Sequence, residues 1–219
     1  DEFSKNRFED RLMNEQMKRM RMDRLKTKYA KIYNAEEAND IHRQVDSYGD
    51  LDLVAMVFNF LDILAHGRSQ SEILQEIAPD ESAFRSLMRS WFSHSALLEI
   101  LKKISRLGAT VVITTDHGSI LGQKASLVHG NRETSTNLRY KFGENINGDP
   151  KQTLLVRNPA DFRLPAESPS KNYILARENY YFVYPTRFHE YERQYQDTFQ
   201  HGGISLEEMI VPCMTLIPR

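Results

Sequence analysis

Disulfide chemistry is nearly absent from this chain, which holds one cysteine, Cys213, among 219 residues. A lone thiol excludes an internal disulfide framework and suits a reducing compartment. Its place in the apolar run 211–217 predicts a buried small hydrophobe. Long hydrophobic runs are missing too. No stretch approaches the roughly 20 apolar residues that span a bilayer, and residues 1–30 are charged rather than signal-peptide-like. The chain is therefore expected to be cytoplasmic, with no membrane insertion. A strong charge of one sign is also lacking: the formal net charge is −1. Attraction to nucleic acid or acidic lipid would have to come from local patches. There is no internal repeat and no low-complexity tract.

What is present suffices for one α/β domain or most of one, with 40% apolar residues. Residues 3–34 are dense in Lys, Arg, Glu, Met and Gln and free of Gly and Pro, which predicts a long charged helix. Its basic residues, among them Lys18, Arg19, Arg21 and Arg24, read as a solvated face and the helix as a packing or homodimerisation surface. The expected organisation is a charged helical segment over 1–48 and the main body over 49–219. Residues 53–60 form a β-rich apolar run, read as a strand. Asp80 reads as the N-cap of one helix, and a second runs over 95–107 and stops at Gly108. The clearest strand follows at 109–115. Helices leading into a buried strand predict a mostly parallel sheet flanked by helices. Residues 122–150 read as a long polar loop. Further strands are expected at 153–156, 173–176, 180–184 and 211–217, and 190–199 as a short helix or aromatic loop.

Three places set His beside a carboxylate or glycine. Asp116-His117-Gly118 directly follows the best strand, where ligands of open α/β sheets bind. Asp62 and His66 are four residues apart, which brings both side chains to one side of a helical turn or tight loop, although taken alone an N-terminal cap with an incidental His is the better reading. In His201-Gly202-Gly203-Ile204-Ser205-Leu206-Glu207-Glu208, Ser205 and Glu208 fit a capping box. That leaves the His-Gly-Gly unexplained, as a ligand-approaching backbone or a plain loop. Together the three supply two carboxylates and three imidazoles, a donor set suited to Zn²⁺. Arg132 and Arg139, in the polar loop, are candidates for binding a phosphate oxygen, because a guanidinium matches phosphate bidentately. His42 and His94 read as surface residues.

The order Asp-x-x-x-His-Gly, Thr-Asp-His-Gly, His-Gly-Gly-x-Ser-Leu-Glu-Glu-x-x-Val-Pro resembles PglZ domains of the alkaline-phosphatase superfamily, from about residue 52 to the end. Residues 128–143 make the chain similar to the effector domain of PorX-like response regulators linked to type IX secretion. The resemblance implies an alkaline-phosphatase-like α/β fold of which this chain is the C-terminal portion. It implies two Zn²⁺ ions, one held by Asp62, His66 and His201 and the other by Asp116 and His117. It further implies a nucleophilic Thr or Ser and one more Asp ligand upstream of this chain, so that the chain alone is expected to be inactive. The implied activity of the longer protein is hydrolysis of phosphate esters, oligonucleotides included. Implied partners are an upstream receiver domain, a cognate histidine kinase, and secretion or sigma-factor proteins. The competing expectation is a regulatory interaction module that keeps the fold and metals without catalysis.

Overall fold

The computed structural model describes residues 8–68, 71–130, 137–166 and 168–218. In chain order the elements are α1 (Glu9–Arg19), β1 (Thr27–Ile32), α2 (Ala35–Gln44), a 3-10 turn (Val45–Asp50), β2 (Leu53–Phe58), α3 (Phe60–Arg68), α4 (Glu72–Ile77), α5 (Glu81–His94) and α6 (Ala96–Arg106). There follow β3 (Val111–Thr114), β4 (Ile120–Gly122), β5 (Lys124–His129), β6 (Tyr140–Glu144), β7 (Asn147–Gly148), β8 (Thr153–Val156), a second 3-10 turn (Pro159–Phe162) and β9 (Lys171–Ala176). The chain closes with β10 (Tyr180–Val183), α7 (Phe188–Tyr195), β11 (Thr198–Gln200), α8 (Leu206–Met209) and β12 (Cys213–Leu216). It divides into two compact units: residues 1–63, 85–111 and 215–219 in one, and 64–84 and 112–214 in the other.

The first unit is built on a βαβ crossover. β1 and β2 pair in parallel, Thr27 opposite Leu53 through Ile32 opposite Phe58, with α2 supplying the crossover that parallel neighbours need. Asn34 caps α2, its side chain accepting from the Glu37 amide at 2.9 Å, while Glu37 accepts from the Tyr33 amide at 2.7 Å. Ile32, Ile41, Val45 and Ile100 form the buried core. Of the long helix expected over 3–34, the described residues 8–34 form α1 and the strand β1 instead. The lysines that suggested a helix serve β1 through their ammonium groups: that of Lys28 lies over the Tyr48 ring, and that of Lys31 reaches Glu9 at 2.9 Å. Pairing with β2 overrides local helix propensity here.

The second unit is mostly antiparallel. β4–β11, β5–β7, β6–β9 and β8–β9 run antiparallel, β5–β10 is parallel, and β3 pairs with β12. The α/β class holds, but the expected mostly parallel sheet is corrected to small mixed sheets. Among the described residues no α-helix lies between β3 and β10, so the helical crossovers that usually build a parallel sheet are missing there. Residues 122–150, expected as a loop, carry β5, β6 and β7. Val128, Ile146, Ile174, Ala176 and Phe182 make the core. Beside it Lys141 is buried with its ammonium over the Tyr184 ring, and burial pushes its pKa down to about 8. Cys213 is exposed on β12 rather than buried.

Candidate metal centre

Three sequence-distant imidazoles meet in the second unit. His66 comes from α3, His117 from the segment after β3, and His201 from the residue after β11. The register of β4 against β11 explains part of this. Gln200 pairs with Ile120, so the chain leaving β11 emerges beside the chain entering β4. The His117 and His201 rings stack with centroids 3.9 Å apart and planes 7° apart, and one nitrogen of each lies within 4.8 Å of the other. His66 meets His201 edge-on, Nε2 to Nε2, at 3.3 Å.

Arg68, which the motif reading passed over, ties the ends of the elements that carry His66 and His201. It is almost fully buried. Its guanidinium donates to the carbonyls of Ala78 at 2.5 Å, Pro79 at 2.8 Å and Asp197 at 2.6 Å. Its guanidinium carbon lies 5.3 Å from the centroid of the Phe199 ring. Asp197 immediately precedes β11, so the helix bearing His66 and the strand leading to His201 are fixed to one side chain. Its only sequence signal is a cation at the end of a helix that is apolar apart from Asp62 and His66.

The Asp-His-Gly turn is held by its own backbone. Thr115 Oγ1 donates to the His117 carbonyl at 2.9 Å, and the His117 amide donates to Asp116 Oδ1 at 3.1 Å. His117 Nδ1 lies 3.0 Å from the Gly118 carbonyl. A carbonyl only accepts, so Nδ1 carries the proton and Nε2 presents its lone pair, the tautomer a metal needs. Gly118 has to be glycine: a Cβ there would overlap the Glu207 carbonyl oxygen, and its amide donates to the Glu208 carbonyl at 3.0 Å. Asp116 is exposed, with a carboxylate oxygen 3.8 Å from His117 Nε2. Asp62 is exposed on α3, one turn before His66.

Behind His201 the expected capping box is present. Ser205 accepts from the Glu208 amide at 3.3 Å, and Glu208 accepts from the Ser205 amide at 3.0 Å. Glu208 also takes the Gly203 amide at 2.8 Å and a two-pronged ion pair from Arg139, Nε at 2.9 Å and Nη2 at 2.6 Å. Burial pushes the Glu208 carboxyl up, but Arg139 and the two amides outweigh it and hold it below the usual range. Gly202 adopts φ +104°, and a Cβ on Gly203 would strike Arg139. The His-Gly-Gly backbone is thus packed on the ion pair. Arg139 is thereby placed differently from the expectation of phosphate binding: it is fully buried, with further donations to the carbonyls of Tyr180 and Glu178. Arg132 lies outside the described residues.

The donor set fits zinc. Tetrahedral Zn²⁺ with Zn–N bonds of about 2.0–2.1 Å separates its ligand nitrogens by about 3.3–3.4 Å, which is the His66–His201 spacing. The fold and this cluster define an α/β domain with an imidazole-rich candidate metal centre. A family profile described as "BREX system PglZ alkaline phosphatase-like domain" matches residues 1–216, and the chain belongs to that family. The match takes in β1 and α2, which the motifs alone left outside. A search of curated proteins returned no match. Among the described residues, no helix is long and apolar enough to cross a membrane.

Proposed function

We propose that this chain is the zinc-holding part of a phosphoester hydrolase. Asp62, His66 and His201 hold one Zn²⁺, and Asp116 and His117 contribute to a second. The observation that carries the reading is the 3.3 Å approach of the His66 and His201 Nε2 atoms, which matches two ligands of one tetrahedral ion. Asp62 joins them because a spacing of four on α3 sends both side chains from one helix face.

When bound, zinc supplies Lewis acidity, lowering the pKa of a hydroxyl and offsetting charge that builds on the phosphoryl oxygens. The chain's own residues prepare for this. The Gly118 carbonyl fixes the His117 tautomer, and Arg68 holds the His66 helix to the strand before His201. Thr114 and Thr115 are poor nucleophiles, since their hydroxyls donate to the carbonyls of Pro212 and His117. The attacking Thr or Ser, and a further Asp ligand, are therefore proposed to come from a preceding part of the intact protein. Phosphodiesters, including short oligonucleotides, are the proposed substrates. The setting in a response regulator linked to type IX secretion rests on sequence likeness alone.

The test is hydrolysis of bis(p-nitrophenyl) phosphate by the intact protein. Turnover that a chelator abolishes and Zn²⁺ restores supports the reading; turnover indifferent to chelation removes it.

A further inference from the structure

In the first unit a cavity of about 340 Å³ opens where β1 and β2 end, with their last residues, Ile32 and Phe58, in its wall. Phe60 and Trp91 stack face to face in its lining, centroids 4.1 Å apart and planes 4° apart. Asn39 and His94 supply polar groups. His94 Nδ1 lies 2.8 Å from the Ser90 carbonyl, so that nitrogen donates and Nε2 remains an acceptor. Asn39 offers an amide with both donor and acceptor. Among the described residues that line the cavity there is no Lys or Arg.

We infer that this cavity is a stacking subsite for a nucleobase. The volume falls in the range of small-molecule pockets, about 300–1,000 Å³. Its chemistry, a parallel stacked aromatic pair in the wall with a few hydrogen-bonding groups, suits a flat heteroaromatic ring. The lack of a cationic side chain points to the ring rather than the phosphate as the part recognised. The inference rests on the reading above that the chain handles phosphate esters. It names the base-bearing class among them, because Phe60 is two residues from Asp62 on α3.

Trp91 is the only tryptophan, so its fluorescence reports the cavity directly. The experiment titrates the whole chain with AMP, and separately with ribose 5-phosphate, in EDTA. Saturable quenching by AMP alone is expected. Phe60→Leu should weaken AMP roughly fivefold or more, the scale of one lost base–aromatic stack. Asn39→Ala, an exposed position that leaves the core untouched, should weaken it by a smaller factor. Circular dichroism checks that both variants fold. No saturable quenching by AMP, an equal response to ribose 5-phosphate, or unchanged affinity in both variants would overturn the inference. Because EDTA removes metal and no turnover is read, failure here is separable from failure of the zinc assignment.

Discussion

Arg68 donates from Nη1 to the carbonyl oxygen of Asp197 at 2.6 Å. These residues stand two positions after His66 and four before His201, so a side chain outside the metal-ligand set fixes the spacing of two proposed ligands. Arg68→Met keeps most of the buried stem and removes every donor, leaving the carbonyls of Ala78, Pro79 and Asp197 short of partners. The expected loss is about 2–4 kcal/mol of unfolding free energy, read by urea denaturation. Zinc affinity should fall by about tenfold or more, as when groups that orient ligands are removed. An unchanged denaturation midpoint would mean that the guanidinium does not hold these segments together.

Glu208→Gln attacks the support behind His201. The substitution puts an uncharged amide against Arg139 and two backbone N–H groups. Breaking one side of a buried ion pair costs about 3–5 kcal/mol. The pH dependence has a definite sign. The Glu208 carboxyl is lowered when folded, so its stabilisation is present above the unfolded carboxylate range, near pH 4.3, and is lost as pH falls through the folded value. Stability curves should therefore fall more steeply toward acid for the wild type than for Glu208→Gln. Parallel acid limbs would remove Glu208 as the cause.

Lys141 acts in the opposite range. Its pKa falls from 10.5 to about 8 on folding, so between those values the unfolded chain binds more protons and stability rises with pH. The stability of the wild type relative to Lys141→Met should rise from about pH 8 toward pH 10.5; Tyr29 and Tyr181, whose hydroxyls burial holds above their ordinary range, act in the opposite sense but cancel in that difference. A difference that does not change with pH would show that the ammonium is not desolvated.

Much of the site was legible because its signals are local. The strand before Asp116, the Asp80 cap of α5, whose side chain accepts from the Ala83 amide at 2.8 Å, and the Ser205–Glu208 box each depend on a few adjacent residues. α6 ends beside Gly108, which takes φ +75°, as its sequence indicates. What was not legible depends on distant partners. β1 is a strand because β2 lies alongside it, and β11 has only three residues, too few for periodicity to show. Arg139 looked like a loop cation until its partner, 69 positions later, was in place. An exposed Cys213 is likewise invisible to a rule that reads an apolar run as buried.

The claim that His66 and His201 share one zinc ion is tested most directly by titrating the metal-free chain with Zn²⁺ against a chromogenic chelator. The wild type should bind tightly at this site. His66→Ala and His201→Ala should each weaken it by more than about a hundredfold, beyond the loss typical of outer-shell changes, with unaltered circular dichroism. His129→Ala, outside the proposed ligand set, should bind as the wild type does. Wild-type zinc affinity and stoichiometry in both His66→Ala and His201→Ala would contradict the assignment.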